Sequence, residues 1–115
     1  MVTVKDKLKK EDVNKAREEY DNFIKITIDI KQETVAIGGE YHFDAEQVLV
    51  RQFQSENSNV WGGGYYLDTK IYTTNAHLNY KPNLGNPSGD ILSEEARKKF
   101  LGIAKKTFED IESLL

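Results

Sequence analysis

The sequence predicts an α+β fold with an N-terminal helix, a mainly antiparallel four-stranded sheet with a short helical insert, and a long C-terminal helix packed on the sheet. Three observations predict it. Apolar residues recur at helical spacing near both ends of the chain, isoleucine alternates with polar residues over 24–31, and 38% hydrophobic against 30% charged residues suit one globular domain. That domain is predicted over residues 1–115, with residues 1–9 expected to fray.

The first half of the chain changes from helical to strand periodicity. A helix is predicted from Lys10 to about Asn22, followed by the isoleucine strand. A short polar connector then leads into a second strand over 34–43, which predicts an antiparallel hairpin. Its core side is predicted to carry Val35, Ile37, Tyr41 and Phe43. Gly38 and Gly39 interrupt this strand, which indicates a bulge or a close approach of backbone.

The middle and the C-terminal part supply the remaining elements. Asp44 is expected to cap a short helix over 45–53, although the apolar run within it suits a strand equally. Two more strands are predicted over 60–67 and 70–81, and the glycines and proline of 83–90 predict a loop. The last helix is predicted to start after Ser93 and to bury an apolar stripe: Ala96, Phe100, Ala104, Phe108 and Ile111.

Composition excludes several classes of function. The 16 Lys and Arg against 19 Asp and Glu give a net charge of −3, which argues against a nucleic-acid partner. The absence of cysteine excludes disulfides and thiolate metal sites. No apolar run approaches the length of a membrane span, and the lysine-rich start lacks the apolar core of a signal peptide. We therefore expect a cytoplasmic protein with no membrane partner.

Side-chain alternation predicts a polar patch on the open sheet face. Glu40 and His42 fall on the polar side of the second strand, and Asn75 and His77 on the polar side of the last. Three readings remain open: solvated surface residues, a polar ligand pocket, or a metal site. The metal would be a divalent ion held by His42, His77 and Glu40, and no other cofactor is predicted. The pair of His42 and Glu40 is also the one candidate for acid–base catalysis.

The most unusual stretch is the run of three glycines between Trp61 and Tyr65. Glycines in a strand indicate a bulge, a close crossing by a helix, or a backbone that approaches a ligand. It is not a phosphate loop, since no Lys-Ser/Thr and no helix follow it.

Short motifs along the chain resemble a known family. They are Ile28-Asp29-Ile30, the stretch 35–42 (VAIGGEYH), Asp44-Ala45-Glu46, Val60-Trp61-Gly62 and the stretch 78–86 (LNYKPNLGN). Their order resembles a family of small prokaryotic proteins, domain of unknown function 5674.

The resemblance implies a cytoplasmic single-domain protein and brings no activity, cofactor or partner with it. The polar positions of the family fall here on Glu40, His42, Asp44, Trp61, Asn79, Lys81 and Asn86. This chain departs from the pattern by Lys81 and Pro87, each in place of arginine, and it lacks the glycine after the middle helix. An anion site built from those arginines would be weakened, because lysine cannot form the bidentate fork.

These observations favour a non-catalytic module that binds a small polar ligand or a protein partner. The predicted binding residues are Glu40, His42, Trp61, Asn79 and Asn86. The alternative is a metal-assisted or acid–base enzyme using His42 and Glu40. A homodimer formed through an edge strand or an aromatic patch is a third interpretation.

Overall fold

A computed structural model describes residues 1–4, 7–39, 41–75 and 94–115, the side chain of Asn57 excepted. Within them the order is strand β1 (Val2–Val4), helix α1 (Lys10–Ala16), strands β2 (Phe23–Asp29) and β3 (Thr34–Ile37), helix α2 (His42–Phe53), strands β4 (Val60–Tyr66) and β5 (Ile71–Asn75), and helix α3 (Glu94–Thr107). Short 3₁₀ turns lie at Asn57–Asn59 and Ile111–Leu114. The α+β class is confirmed.

The sheet has five strands in the described part of the chain, not four, in the order β1-β3-β2-β4-β5. Every neighbouring pair is antiparallel. The additional strand is β1, which lies within the stretch expected to fray and pairs with β3 from Val2 opposite Ile37 to Val4 opposite Val35. The chain therefore begins with an edge strand, and the predicted N-terminal helix comes second.

One face of the sheet carries the main apolar core. The isoleucines of β2 lie there as predicted, together with Trp61 and Tyr65 of β4. Helix α3 covers this face with Phe100 and Ala104, and α1 contributes Val13 and Ala16 to the same cluster. Both flanking helices therefore bury their apolar sides in this cluster, which confirms the predicted packing of the C-terminal helix on the sheet.

The opposite face is not open along its whole length, which corrects the sequence interpretation. Helix α2 packs on β2 and β3, and a second apolar cluster forms there from Ala36, Ala45, Leu49 and Val60. The choice left open for residues 44–53 is settled as helix. The sheet is thus covered by helices on both sides, but only partly on the side of α2.

The second strand is shorter than predicted because the chain turns after Ile37. Gly38 and Gly39 have φ of +82° and +86°, a conformation that a residue with a Cβ rarely adopts. The strand therefore ends at Ile37, and Tyr41 and Phe43, predicted on its core side, are instead 61% and 59% exposed.

Candidate functional site

His42 is the first residue of α2, and its side chain lies between that helix and the sheet. The residue is 5% exposed, so the prediction of an exposed imidazole on a strand is wrong. Helix α2 begins three residues before the predicted start, with Tyr41 as its N-cap, and Asp44 lies within the first turn. The imidazole nevertheless lies on the predicted side of the sheet, away from the isoleucines.

Two strands supply the hydrogen-bond partners of His42. Its Nδ1 lies 2.9 Å from Oγ1 of Thr27 on β2, and Nδ2 of Asn75 on β5 lies 3.1 Å from its Nε2. With the amide in this orientation Asn75 donates to Nε2, so the neutral ring carries its proton on Nδ1 and donates it to Thr27. We call Thr27, His42 and Asn75 the histidine cluster.

Gly62 provides the space in which the histidine cluster fits. Thr27, Gly62 and Asn75 are directly opposite one another on β2, β4 and β5. A Cβ on Gly62 would lie 2.8 Å from Oδ1 of Asn75 and 3.0 Å from Nδ1 of His42. Any side chain there would crowd the Asn75 amide and the imidazole, so this strand position suits glycine, over whose backbone the ring lies.

Gly63 and Gly64 make room for other side chains. Because strand positions alternate, Gly63 faces the isoleucine side of the sheet and Gly64 faces the α2 side. A Cβ on Gly63 would lie 2.7 Å from the ring of Phe100 in α3 and would overlap the carbonyl oxygen of Thr73. A Cβ on Gly64 would overlap the ring of Phe23. The close crossing by a helix, one of the predicted readings, is therefore confirmed at Gly63.

Buried polar residues in the described part of the chain all lie on the α2 side of the sheet. They are Thr27, Asp29, His42, Glu46 and Ser55. Asp29 accepts hydrogen bonds from the backbone N–H groups of Lys31 and Gln32 and from the Gln32 amide, which holds the β2–β3 turn. Glu46 lies one helical turn beyond His42, whereas the isoleucine face carries an apolar core.

Trp61 is separated from the histidine cluster by the sheet itself. It neighbours Gly62 on β4, so its indole lies on the isoleucine face, where it is 8% exposed. Its Nε1 has no hydrogen-bond partner among the described residues, and the ring lines a cavity of about 310 Å³ whose other residues include Lys31 and Lys99. The structure therefore does not bring Trp61 and His42 together.

The other predicted site residues lie outside the described residues. These are Glu40, His77, Asn79 and Asn86. Of the proposed metal ligands only His42 is described, and within the described ranges no three His, Asp or Glu side chains are grouped as metal ligands.

Sequence reasoning did not select Thr27 or Gly62 as site residues, and it placed Asn75 in the patch without assigning it a role. The signal for Gly62 was present, since an unexplained glycine run marks a close contact. The signal for Thr27 was weak, because a threonine alternating with isoleucines is ordinary in a strand.

The family described as "Protein of unknown function (DUF5674)" matches residues 2–107. The chain belongs to this family. No curated protein matches the DUF5674 chain, and no solved structure does. None of the described helices of this DUF5674 protein has the length and apolar character needed to cross a membrane.

Proposed function

We propose that this chain is a non-catalytic binding module that takes a small polar ligand at the histidine cluster. One observation carries the proposal: a buried imidazole lies in a hollow made by Gly62, bonded to side chains from two strands. Burying polar groups costs free energy that an apolar contact would not, and the opposite face shows that this fold can build an apolar core. A binding role accounts for that cost.

The geometry favours a small ligand over a flat protein surface. Thr27 is fully buried and His42 nearly so, while Asn75 is half-buried. The cluster is therefore recessed beside the N-terminus of α2. Hydroxyl, imidazole and amide groups all exchange hydrogen bonds without carrying a formal charge in their neutral forms, so a neutral or zwitterionic polar ligand suits them. The predicted residues Glu40, Asn79 and Asn86 remain part of this proposal.

NMR spectroscopy tests the proposal. Labelled protein is titrated separately with glycine, acetate, inorganic phosphate, glucose and adenosine while the signals of Thr27, His42 and Asn75 are followed. We expect at least one probe to move these signals together. Gly62→Ala should abolish the response because its Cβ crowds both the Asn75 amide and the imidazole, whereas Gly102→Ala should leave it intact because a Cβ there would meet no described atom beyond its own helix backbone within 4 Å.

A second measurement separates binding from a purely structural role. Thr27→Val combined with His42→Phe replaces both hydrogen-bonded partners with apolar groups of similar shape, which is close to neutral for stability when the pair is not needed for folding. We expect the double variant to remain folded and to lose the probe response. Severe destabilisation, together with no response of the native chain to any probe, would show that the cluster is structural.

A further inference from the structure

Near one end, the side of the sheet that carries α2 is not covered by any of the described helices. The row formed by Phe23, Tyr66 and Ile71 lies there, opposite one another on β2, β4 and β5. Tyr66 is 40% and Ile71 54% exposed, and Tyr20, before the strand, is 43% exposed. We call these four residues the aromatic strip. It is separate from the histidine cluster, which lies two rows further along the sheet.

The rings of the aromatic strip form one continuous surface. Tyr20 and Phe23 meet edge to face with centroids 6.1 Å apart, and Phe23 and Tyr66 lie 4.8 Å apart. Contact between the rings limits their freedom, so less side-chain entropy is lost when another surface covers them. A contiguous exposed apolar surface of this kind marks an interaction site.

Charged side chains lie at both ends of the strip: a lysine at one end, and at the other two aspartates beside Arg17, whose Nε donates to the carbonyl oxygen of Asp21. Lys25 is in the next row, and its ammonium lies 5.8 Å from the centroid of the Phe23 ring. In the other direction are the exposed Asp21 and Asp68, and Asp68 is held at the tip by a hydrogen bond from its N–H to Asn22. Hydrogen bonds from Asn22 and Thr69 lower the pKa of Asp68, so its carboxylate stays ionised. Among the described residues Lys25 has no ion-pair partner.

We propose that a second copy of this chain docks on the aromatic strip. A two-fold axis that crosses the strands over the Phe23–Tyr66 row places the two strips face to face. The same rotation reverses the strand direction, so Lys25 of each copy comes opposite Asp21 and Asp68 of the other. Consecutive rows on one face are about 7 Å apart, which keeps both charged ends within one small interface.

Self-complementarity favours a second copy over other occupants. A basic or an acidic peptide would satisfy one end of the strip and be repelled by the other, whereas the two-fold arrangement pairs both ends at once. The strip is small compared with stable interfaces, so the dimer is weak and forms at high protein concentration. The proposal does not depend on a ligand at the histidine cluster.

Sedimentation of the full chain from micromolar to millimolar concentrations tests the proposal. The native chain should show a monomer–dimer equilibrium that weakens as salt is added, because salt screens exposed charges. Lys25→Glu alone and Asp68→Lys alone should each weaken the dimer at least tenfold, since each places like charges opposite one another. Lys105→Glu, an exposed charge reversal on α3, is the matched control and should not change the equilibrium.

Mixing the two variants gives the decisive result. In a heterodimer of Lys25→Glu with Asp68→Lys the two reversed charges face each other at one end, where Asp21 remains, and native Lys25 faces native Asp21 and Asp68 at the other. The mixture should therefore dimerise more strongly than either variant alone. Circular dichroism confirms that each variant is folded. A monomer at every concentration overturns the proposal, and so does a dimer that is indifferent to both reversals or a mixture that behaves as its two components do.

Discussion

Gly62 is the residue on which the histidine cluster depends most directly. It lies on the central part of the sheet between Thr27 and Asn75, and its missing side chain is the space that the imidazole occupies. A methyl group at this position has to push aside either the Asn75 amide or the His42 ring. The consequences for stability can be measured against another glycine of the same chain.

We expect Gly62→Ala to lower the free energy of unfolding by about 1–3 kcal/mol, the usual cost of overpacking. Gly102→Ala should instead raise it by about 0.5–1 kcal/mol, because alanine favours a helix and nothing described lies within 4 Å of that position. Urea denaturation of both variants measures the two changes. Equal effects at the two positions would contradict the packing seen around Gly62.

Tyr72 gives a prediction for alkaline pH. Burial, with a smaller contribution from nearby Tyr65, raises the pKa of Tyr72 from 10.0 to about 12. Since the fold favours the neutral hydroxyl, this contribution to stability is complete below about pH 10 and is lost as the pH rises from 10 through 12. Denaturation at several pH values should show the loss, and Tyr72→Phe should reduce it. An identical pH dependence in both proteins would contradict the assignment.

At the scale of elements, the turn after β3 decides where His42 goes. Gly38 and Gly39 both have positive φ, and a Cβ on Gly38 would lie 2.8 Å from Cα of Ala16 in α1. The predicted close approach of backbone is therefore confirmed, and the turn that accompanies it ends the strand. The next described element is α2, which packs on β2 and β3 and places His42 between the helix and the sheet.

The two glycines can be compared directly. Gly39→Ala should lower the free energy of unfolding by about 1–2 kcal/mol through the strain of its positive φ. No clash is added, because the new Cβ would lie 3.7 Å from Met1, an ordinary contact distance. Gly38→Ala should cost about 1–3 kcal/mol more, since the same strain is joined by the clash with α1. Thermal and urea unfolding give both values. If Gly39→Ala proved the more damaging, the packing of α1 on this turn would be wrong.

These elements also show how far the sequence could predict the structure. The isoleucine strand and α3 were predicted closely, because their periodicity runs over many residues and reports burial on a single side. The end of the second strand could not be predicted, since the alternation of apolar residues continues in the sequence past Gly38 and Gly39, whereas the strand ends at Ile37. The short stretch Val2–Val4 was expected to fray because its pairing partner, β3, lies more than thirty positions away in the sequence.

The contrast between predictable local periodicity and unpredictable long-range contacts also holds for the site. Alternation placed His42 and Asn75 on the same side of the sheet, and in the structure the two side chains form a hydrogen bond. The contact is made from α2, because β3, the strand on which His42 was predicted, is not a neighbour of β5. Trp61 was grouped with His42 through the family's polar positions and not through alternation, and the structure places the two on opposite faces of the sheet. The contacts between a helix and the sheet are long-range contacts that depend on how the intervening chain turns, and a local sequence pattern does not report them.

At the scale of the molecule, one sheet joins two apolar clusters of unequal size. The larger cluster includes Trp61, the single tryptophan of the chain, and the smaller one lies under α2 next to His42. Both clusters take residues from β3 and β4, so neither can lose its packing without disturbing the other. We expect the described elements to unfold in one step.

Denaturation followed by two probes tests this expectation. Tryptophan fluorescence reports on the larger cluster, and the NMR signals of the His42 ring report on the α2 side. The two transitions should share a midpoint and a slope. Loss of the His42 signals at clearly lower denaturant concentration would show that α2 detaches first and that the two clusters are independent.

The consecutive glycines of β4 have a consequence for the two sides of the sheet. At Gly62 and Gly63 only the peptide backbone separates the imidazole of His42 from the benzyl ring of Phe100. A substitution in the hydrophobic core, such as Phe100→Leu, should therefore alter the surroundings of His42 across a single layer of backbone and shift the NMR signals of its ring. The affinity of the proposed ligand site at the histidine cluster would then depend on core residues of the opposite face, which make no contact with the ligand.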